Sequence, residues 1–310
     1  MTLTVLGADD VRRLLPMDQC IDAMAEAMLA VSGGDAPVPA RFTLPLYTDA
    51  DGLLVMPGVT GEGGVFGSKL ISILSDNPVR GRPSIQGMVT LFDGDTGAPL
   101  AVVEGASLTA IRTAAASGLA TRWLARQDAD TLGIFGCGVQ AETHIDAVAA
   151  VRSLREVRVW GRDAAKAERF SGRAGERTGL AVRAVADPAE AAACDVICTV
   201  TAATEPVLFG RWISPGAHIN LVGAHHIEAR EADTRLVAES RVFVDLLASA
   251  RAESGDLMIP VREGAVPEDH VAGEIGRVVA GDLPGRTHSR QVTLYKSLGI
   301  VTQDLYAAAL

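Results

Sequence analysis

The stretch Thr131-Leu132-Gly133-Ile134-Phe135-Gly136-Cys137-Gly138-Val139-Gln140-Ala141 constrains the fold of this chain more than any other. An apolar run ends in a G-x-G-x-x-A turn and gives way to an alanine-rich segment. This is the pattern of a strand turning into a helix around a dinucleotide's pyrophosphate. Gly136 permits the tight bend, and Gly138 lets the phosphates approach the backbone. The amides of Val139 and Gln140 then point at them from the helix N-terminus. From Asp130 onward strand-like and helix-like segments alternate, with strands predicted at 131–135, 156–160, 181–185, 195–200, 217–222 and 241–245. Helices are predicted at about 139–151, 163–178 and 188–193, and such alternation implies a parallel, doubly wound α/β sheet with right-handed crossovers.

Since 130 residues precede this turn, a second unit must occupy them. Ala8 to Ser32 places Val11, Leu14, Leu15, Ile21, Met24, Met28 and Leu29 at roughly helical spacing, and Gly33-Gly34-Asp35-Ala36-Pro37 ends the pattern. Short β-like runs follow at Leu53 to Met56, Lys69 to Leu74, Gly87 to Phe92 and Leu100 to Glu104, the last two joined by a turn through Asp93-Gly94 and Thr96-Gly97. They predict an antiparallel or mixed sheet. Ser107 to Ala125 reads as a linking helix of small residues. Leu294 to Leu310 reads as a strand or turn and a helix with no sheet of its own to complete, so it is expected to return to the first unit. The resulting division is a discontinuous α/β domain of residues 1–113 and 294–310 around a Rossmann dinucleotide-binding domain of residues 114–293.

The chain carries 28 basic and 38 acidic residues, a formal net charge of -10, and its basic residues are scattered. That argues against nucleic acid or an anionic membrane as partner. No apolar run approaches the length that spans a bilayer. Met1 to Asp10 lacks a basic segment followed by an apolar block, so a cytoplasmic setting is expected. Cys20, Cys137, Cys194 and Cys198 form no metal or disulfide pattern.

Of the basic residues only Lys69, Lys166 and Lys296 are lysines, which singles out each of them. Lys69 adjoins a strand-like run, where an amine must be paired or face a polar cavity. Arg112 lies on the otherwise small and apolar linking helix, either as a stem with its head in water or as a planar fork for a carboxylate or phosphate. Trp160-Gly161-Arg162-Asp163 ends the second predicted strand, where an acid selects NAD(H). Arg162 in that place favours the 2′-phosphate of NADP(H), while Asp163, whose alternative role is a helix cap, leaves NAD(H) open. His225 and His226 follow the fifth predicted strand at the sheet's carboxyl edge, where ligands bind. Two adjacent histidines without a third ligand make a poor metal site, and no metal is expected.

Several segments together resemble the ornithine cyclodeaminase and mu-crystallin family. They are Gly67-Ser68-Lys69-Leu70, Leu108-Thr109-Ala110-Ile111-Arg112-Thr113-Ala114-Ala115-Ala116-Ser117, the glycine turn, Ile219-Asn220-Leu221-Val222-Gly223-Ala224 and Tyr295-Lys296-Ser297-Leu298-Gly299-Ile300. The resemblance implies a homodimer whose first domain supplies the subunit contact and a substrate pocket facing nicotinamide held by the second. It implies that Arg41, Lys69 and Arg112 surround the substrate carboxylate. Ser84, Arg112 and Thr113 would fall at or near cofactor-contacting positions, and Thr201, Val222, Gly223 and Ser297 would line the cofactor cleft.

Ornithine cyclodeaminases carry an Asp where this chain has His225 and a Glu near Met56. Both acids are missing, and a neutral Met56 cannot receive an ornithine ammonium. The resemblance therefore points to the imine (ketimine) reductase members: reduction of a small cyclic imino acid with NADP(H) favoured and NAD(H) open, Lys69 and His225 being the catalytic candidates. Three rivals are an ammonia-eliminating cyclodeaminase, an alanine-type dehydrogenase, and a non-catalytic NADPH-dependent ligand binder.

Overall fold

The computed structural model describes residues 3–48 and 51–310, which fall into two compact units, Met1–Arg112 with Gly299–Leu310, and Thr113–Leu298. The smaller unit holds strands β1 (Thr4–Leu6), β2 (Phe42–Pro45), β3 (Gly52–Val59), β4 (Val65–Ile73), β5 (Ile85–Asp93) and β6 (Pro99–Glu104) in the order β1-β6-β5-β4-β3-β2. Neighbours pair antiparallel except β1 with β6. The two expected N-terminal helices are Ala8–Leu14 and Met17–Gly33, the second closed by Gly34 in the left-handed region. Helix Val301–Ala309, at the far end of the sequence, packs on this unit: Tyr306 donates from its hydroxyl to the Thr60 carbonyl at 2.7 Å.

The larger unit is a parallel sheet of β7 (Thr131–Phe135), β8 (Glu156–Trp160), β9 (Val182–Ala184), β10 (Val196–Thr199), β11 (His218–Leu221), β12 (Arg241–Val244), β13 (Val271–Glu274) and β14 (Thr293–Lys296). Its order is β13-β12-β14-β11-β10-β7-β8-β9. Strands buried on both faces read as largely apolar runs, and β7 and β10 are buried at every position. Successive side chains go to opposite faces. Leu132 and Ile134 join one apolar cluster with Ile145, Val157 and Phe170, while Phe135 joins another with Ile197, Leu221 and Val244.

Two expectations change. Residues 293–296 do not leave with the C-terminal segment; they form an interior strand between β11 and β12. Leu294 enters the apolar cluster there, and the Thr293 hydroxyl donates to the Leu124 carbonyl at 3.0 Å. β13 was not anticipated at all. Among the described residues no helix is long and apolar enough to cross a membrane.

Candidate active site

In the larger unit the glycine turn has the geometry its sequence implies. Gly136 sits at φ +125, and a Cβ there would lie 2.8 Å from the Val200 carbonyl, so only glycine fits. Gly138 caps helix Val139–Ala149 in an extended conformation, and a Cβ built on it meets nothing within 4 Å. The first amides of a helix have no intrahelical acceptor, so Val139 and Gln140 present theirs to that open space. A pyrophosphate fits this cradle. Arg162, exposed after β8, has no carboxylate partner among the described residues, whereas Asp163 caps the next helix, its Oδ1 accepting from the Lys166 amide at 2.9 Å.

The loops after β10 and β11, at the same carboxyl edge, are fastened by a buried carboxylate that sequence reading missed. Glu231 accepts from the Thr201 amide and hydroxyl at 2.8 and 2.7 Å with one oxygen. With the other it accepts from the Thr199 hydroxyl and the Gly223 amide, each at 2.7 Å. Asp256 accepts from the Glu231 and Ala232 amides at 2.7 and 3.0 Å, and its second oxygen lies 2.9 Å from Lys296 Nζ. Lys296 also donates to the Ala224 carbonyl. Burial, then the neighbouring Asp256 charge, hold the Glu231 carboxyl above its ordinary pKa. Thr201, Val222 and Gly223 are thus set beside one another. Ser297 donates its amide to the Leu221 carbonyl at 3.0 Å while its buried hydroxyl has no partner. His225 stands exposed on the same loop, Nδ1 3.1 Å from the Gly223 carbonyl.

In the smaller unit three basic side chains gather around one acid. Lys69, on β4 and 2% exposed, places Nζ 2.8 Å from Asp304 Oδ1. Arg112 Nε lies 2.8 Å from that same oxygen, and its Nη1 donates to Gln303 Oε1 at 2.8 Å. Arg41 donates to the Gly299 carbonyl at 3.1 Å. Gly299, at φ +78, leaves room for the guanidinium, since a Cβ there would stand 2.8 Å from Arg112 Nη1. Burial drives the Lys69 pKa down to about 8, with repulsion from Arg112 adding to the effect and Asp304 opposing it. Burial raises the Asp304 carboxyl, but Arg112 and Lys69 outweigh it and the net direction is down. Lys69 and Arg112 against the one ionised Asp304 leave an excess of positive charge that calls for an anion. Asp304 Oδ2, Gln303 Nε2 and Thr302 Oγ1 are buried here without a partner.

Arg41, Lys69 and Arg112 lie together in the smaller unit, Arg41 and Arg112 both against Gly299 and Lys69 and Arg112 both on Asp304. Ser84 is not with them: its carbonyl receives the Leu74 amide at 2.9 Å, just beyond the Ile73–Ile85 end of the β4–β5 ladder, whereas Lys69 pairs with Val89. Thr113, 8% exposed, follows Arg112 along helix Gly105–Leu124.

The family model of the ornithine cyclodeaminase/mu-crystallin family matches residues 1–310. The chain belongs to this family. Ketimine reductase mu-crystallin of Rattus norvegicus is 38% identical over 311 residues, covering 98% of this chain and 95% of its own. Among solved structures, Thermococcus litoralis Δ1-pyrroline-2-carboxylate reductase in complex with NADH and L-proline superposes with TM-score 0.94 at 36% identity, over 99% of this chain and 95% of that one. An archaeal alanine dehydrogenase dimer with bound NAD gives TM-score 0.92 at 30% identity, over 99% and 94% of the two chains.

Met56 lies directly opposite Lys69 in the β3–β4 register and is 8% exposed. One of the two cross-strand neighbours of the buried amine is therefore a thioether and the other, Val89, an aliphatic chain, and neither offers a second ammonium a charge to pair with.

Proposed function

We propose that the chain reduces a small cyclic imino acid, of the Δ1-pyrroline-2-carboxylate or Δ1-piperideine-2-carboxylate type, to the cyclic L-amino acid, with NADPH preferred over NADH. The observation that carries this reading is the basic cluster, Lys69 and Arg112 on the one buried Asp304 carboxylate, with Met56 opposite Lys69. Arg41, Lys69 and Arg112 hold the substrate carboxylate, the arginine forks matching its two oxygens. When bound, the nicotinamide supplies hydride to the ring carbon. Positioning of the substrate by the basic residues is worth roughly 7 to 11 kcal/mol of barrier. As the C=N bond becomes single, nitrogen gains one proton, which we assign to Lys69 Nζ. Its pKa of about 8 keeps the donor form populated at neutral pH while easing transfer. His225 is assigned an orienting role toward that nitrogen. Arg162, with no acidic partner among the described residues, is available to a 2′-phosphate, while Asp163 already commits one carboxylate oxygen to the helix cap.

A panel of cyclic imino acids, open-chain keto acids with ammonia, and ornithine, each with both nicotinamide cofactors, tests the reading. Ring imines with NADPH are expected to turn over fastest. Pyruvate reduced only with ammonia would assign an alanine-type dehydrogenase, ammonia released from ornithine a cyclodeaminase, and no oxidation of NADPH by any substrate a binding protein. Arg162→Asp is expected to cut kcat/KM with NADPH by about tenfold or more through loss of a charge-assisted contact. An unchanged NADPH:NADH ratio removes that assignment.

We further propose a homodimer built on the smaller unit. Every residue of edge strand β2 is exposed, including Phe42 at 58% and Leu44 at 45%, and Tyr47 beyond it stands 85% exposed. An apolar edge of this kind needs a cover. Light scattering should return twice the chain mass, and Leu44→Glu with Tyr47→Glu should shift it toward the single chain. A wild-type monomer overturns the proposal.

A further inference from the structure

The larger sheet has a second concave face, at the edge opposite the glycine turn. A cavity of about 840 Å³ is bounded there by Pro215 before β11, Arg241 at the start of β12, His270 before β13 and Val292 before β14. Because all these strands are parallel, the wall is made of their amino ends. The dinucleotide signature lies at the carboxyl ends, a strand length of roughly 10 Å or more away.

The lining is basic in a chain whose net charge is -10. Arg211, Arg235, Arg241 and Arg290 line it with His270 and His288, and Glu239 is the one carboxylate among the lining residues. Most arginines of this unit that make ion pairs, such as Arg126, Arg158 and Arg177, sit against carboxylates elsewhere. In the cavity only Arg235 does, with Glu239 at 2.8 Å. Arg211 is held by aromatic faces, 4.5 Å from the Phe209 ring centre and 5.0 Å from that of Trp212. Such stacking fixes the side chain without neutralising it. Arg241 donates to the Gly285 and Pro284 carbonyls, each at 3.0 Å, which likewise fixes its fork and leaves its charge in place. Arg290 is exposed and has no recorded partner among the described residues.

We propose that this cavity binds a small anion carrying two or more phosphate or carboxylate groups, at a site separate from catalysis. Pre-set arginine forks, held by rings and carbonyls rather than by acids, match the geometry of such oxyanions. A volume of this size suits a small molecule.

Calorimetric titration of the full chain with sodium pyrophosphate, and separately with trisodium citrate, tests this at ionic strength held constant with sodium chloride. At least one probe is expected to saturate one site per chain, and which of them does so tells phosphate from carboxylate recognition. Arg211→Ala with Arg290→Ala should weaken that binding at least tenfold and leave turnover of the ring imine unchanged. If the double variant fails to fold by circular dichroism, Arg290→Gln alone should weaken binding severalfold. Absence of saturable binding by both probes overturns the proposal, as does undiminished affinity in the folded variants. Displacement of the probe by NADPH overturns it too, because it assigns the binding to the glycine turn. The readout is binding, so the proposal stands or falls independently of the imine assay.

Discussion

Lys69→Met is expected to lower kcat/KM for a cyclic imino acid by about two to four orders of magnitude while leaving NADPH affinity within about twofold. The size follows from two losses. A charge-assisted contact to the substrate carboxylate is worth roughly 1.5 to 3 kcal/mol, and a positioned proton donor contributes about 10²- to 10⁴-fold. Methionine fills much of the space of the lysine stem, so packing changes little. Asp304 keeps Arg112 as an ion-pair partner through the same Oδ1, so the fold is expected to survive. The pH profile separates this role from a structural one. The Lys69 pKa is about 8, so the cationic donor is fully present below that value and is lost above it. Wild-type rate should therefore fall on an alkaline limb near pH 8, and the residual rate of the variant should lack that limb. A variant within tenfold of wild type, or a limb that persists in it, ends the assignment of Lys69.

Legibility in the sequence followed the range of the interaction that shapes each element. β7 and β10 were readable because burial on both faces writes an apolar run into consecutive residues. The same criterion failed for β14, where Thr293, Tyr295 and Lys296 look like a surface strand although all are 0% exposed. Their burial is permitted by partners distant in sequence, such as Asp256 for Lys296. Asp304 was hidden for the same reason. Thr302, Gln303 and Asp304 are consecutive polar residues of a terminal helix with nothing local to mark them as buried, yet the partners of Asp304 lie 235 and 192 residues away. The scarcity of lysine was the one local signal that pointed at both buried networks, through Lys69 and Lys296. It identified the cations but carried no information about Asp304 or Glu231, the acids that hold them and the loops beside them.

Glu231→Gln is expected to destabilise the larger unit by about 2 to 3 kcal/mol and to raise KM for NADPH several-fold, with KM for the imino acid nearly unchanged. Each Glu231 oxygen receives one backbone amide, Thr201 on one side and Gly223 on the other. A carboxyl group can accept at both oxygens in either protonation state. A glutamine cannot: whichever way its amide turns, the NH₂ faces one of those backbone N–H groups and leaves it without an acceptor. The threonine hydroxyls can rotate to compensate, the backbone cannot, and the loops carrying Thr201 and Gly223 must move apart. For a unit of this size the loss corresponds to a fall of about 4 to 12 °C in Tm. The pH dependence has a defined sign. Because the folded-state pKa of Glu231 is raised above the ordinary 4.5, the folded form holds its proton more tightly. The resulting stabilisation is fully present below pH 4.5 and is lost as pH rises through the folded pKa. Glutamine does not titrate, so the stability gap between wild type and variant should be widest at acidic pH and narrow upward, as followed by denaturant titration across that range. A gap that widens with pH would mean that Glu231 is held ionised by Lys296 and the four donors, and that burial is not the dominant influence on it.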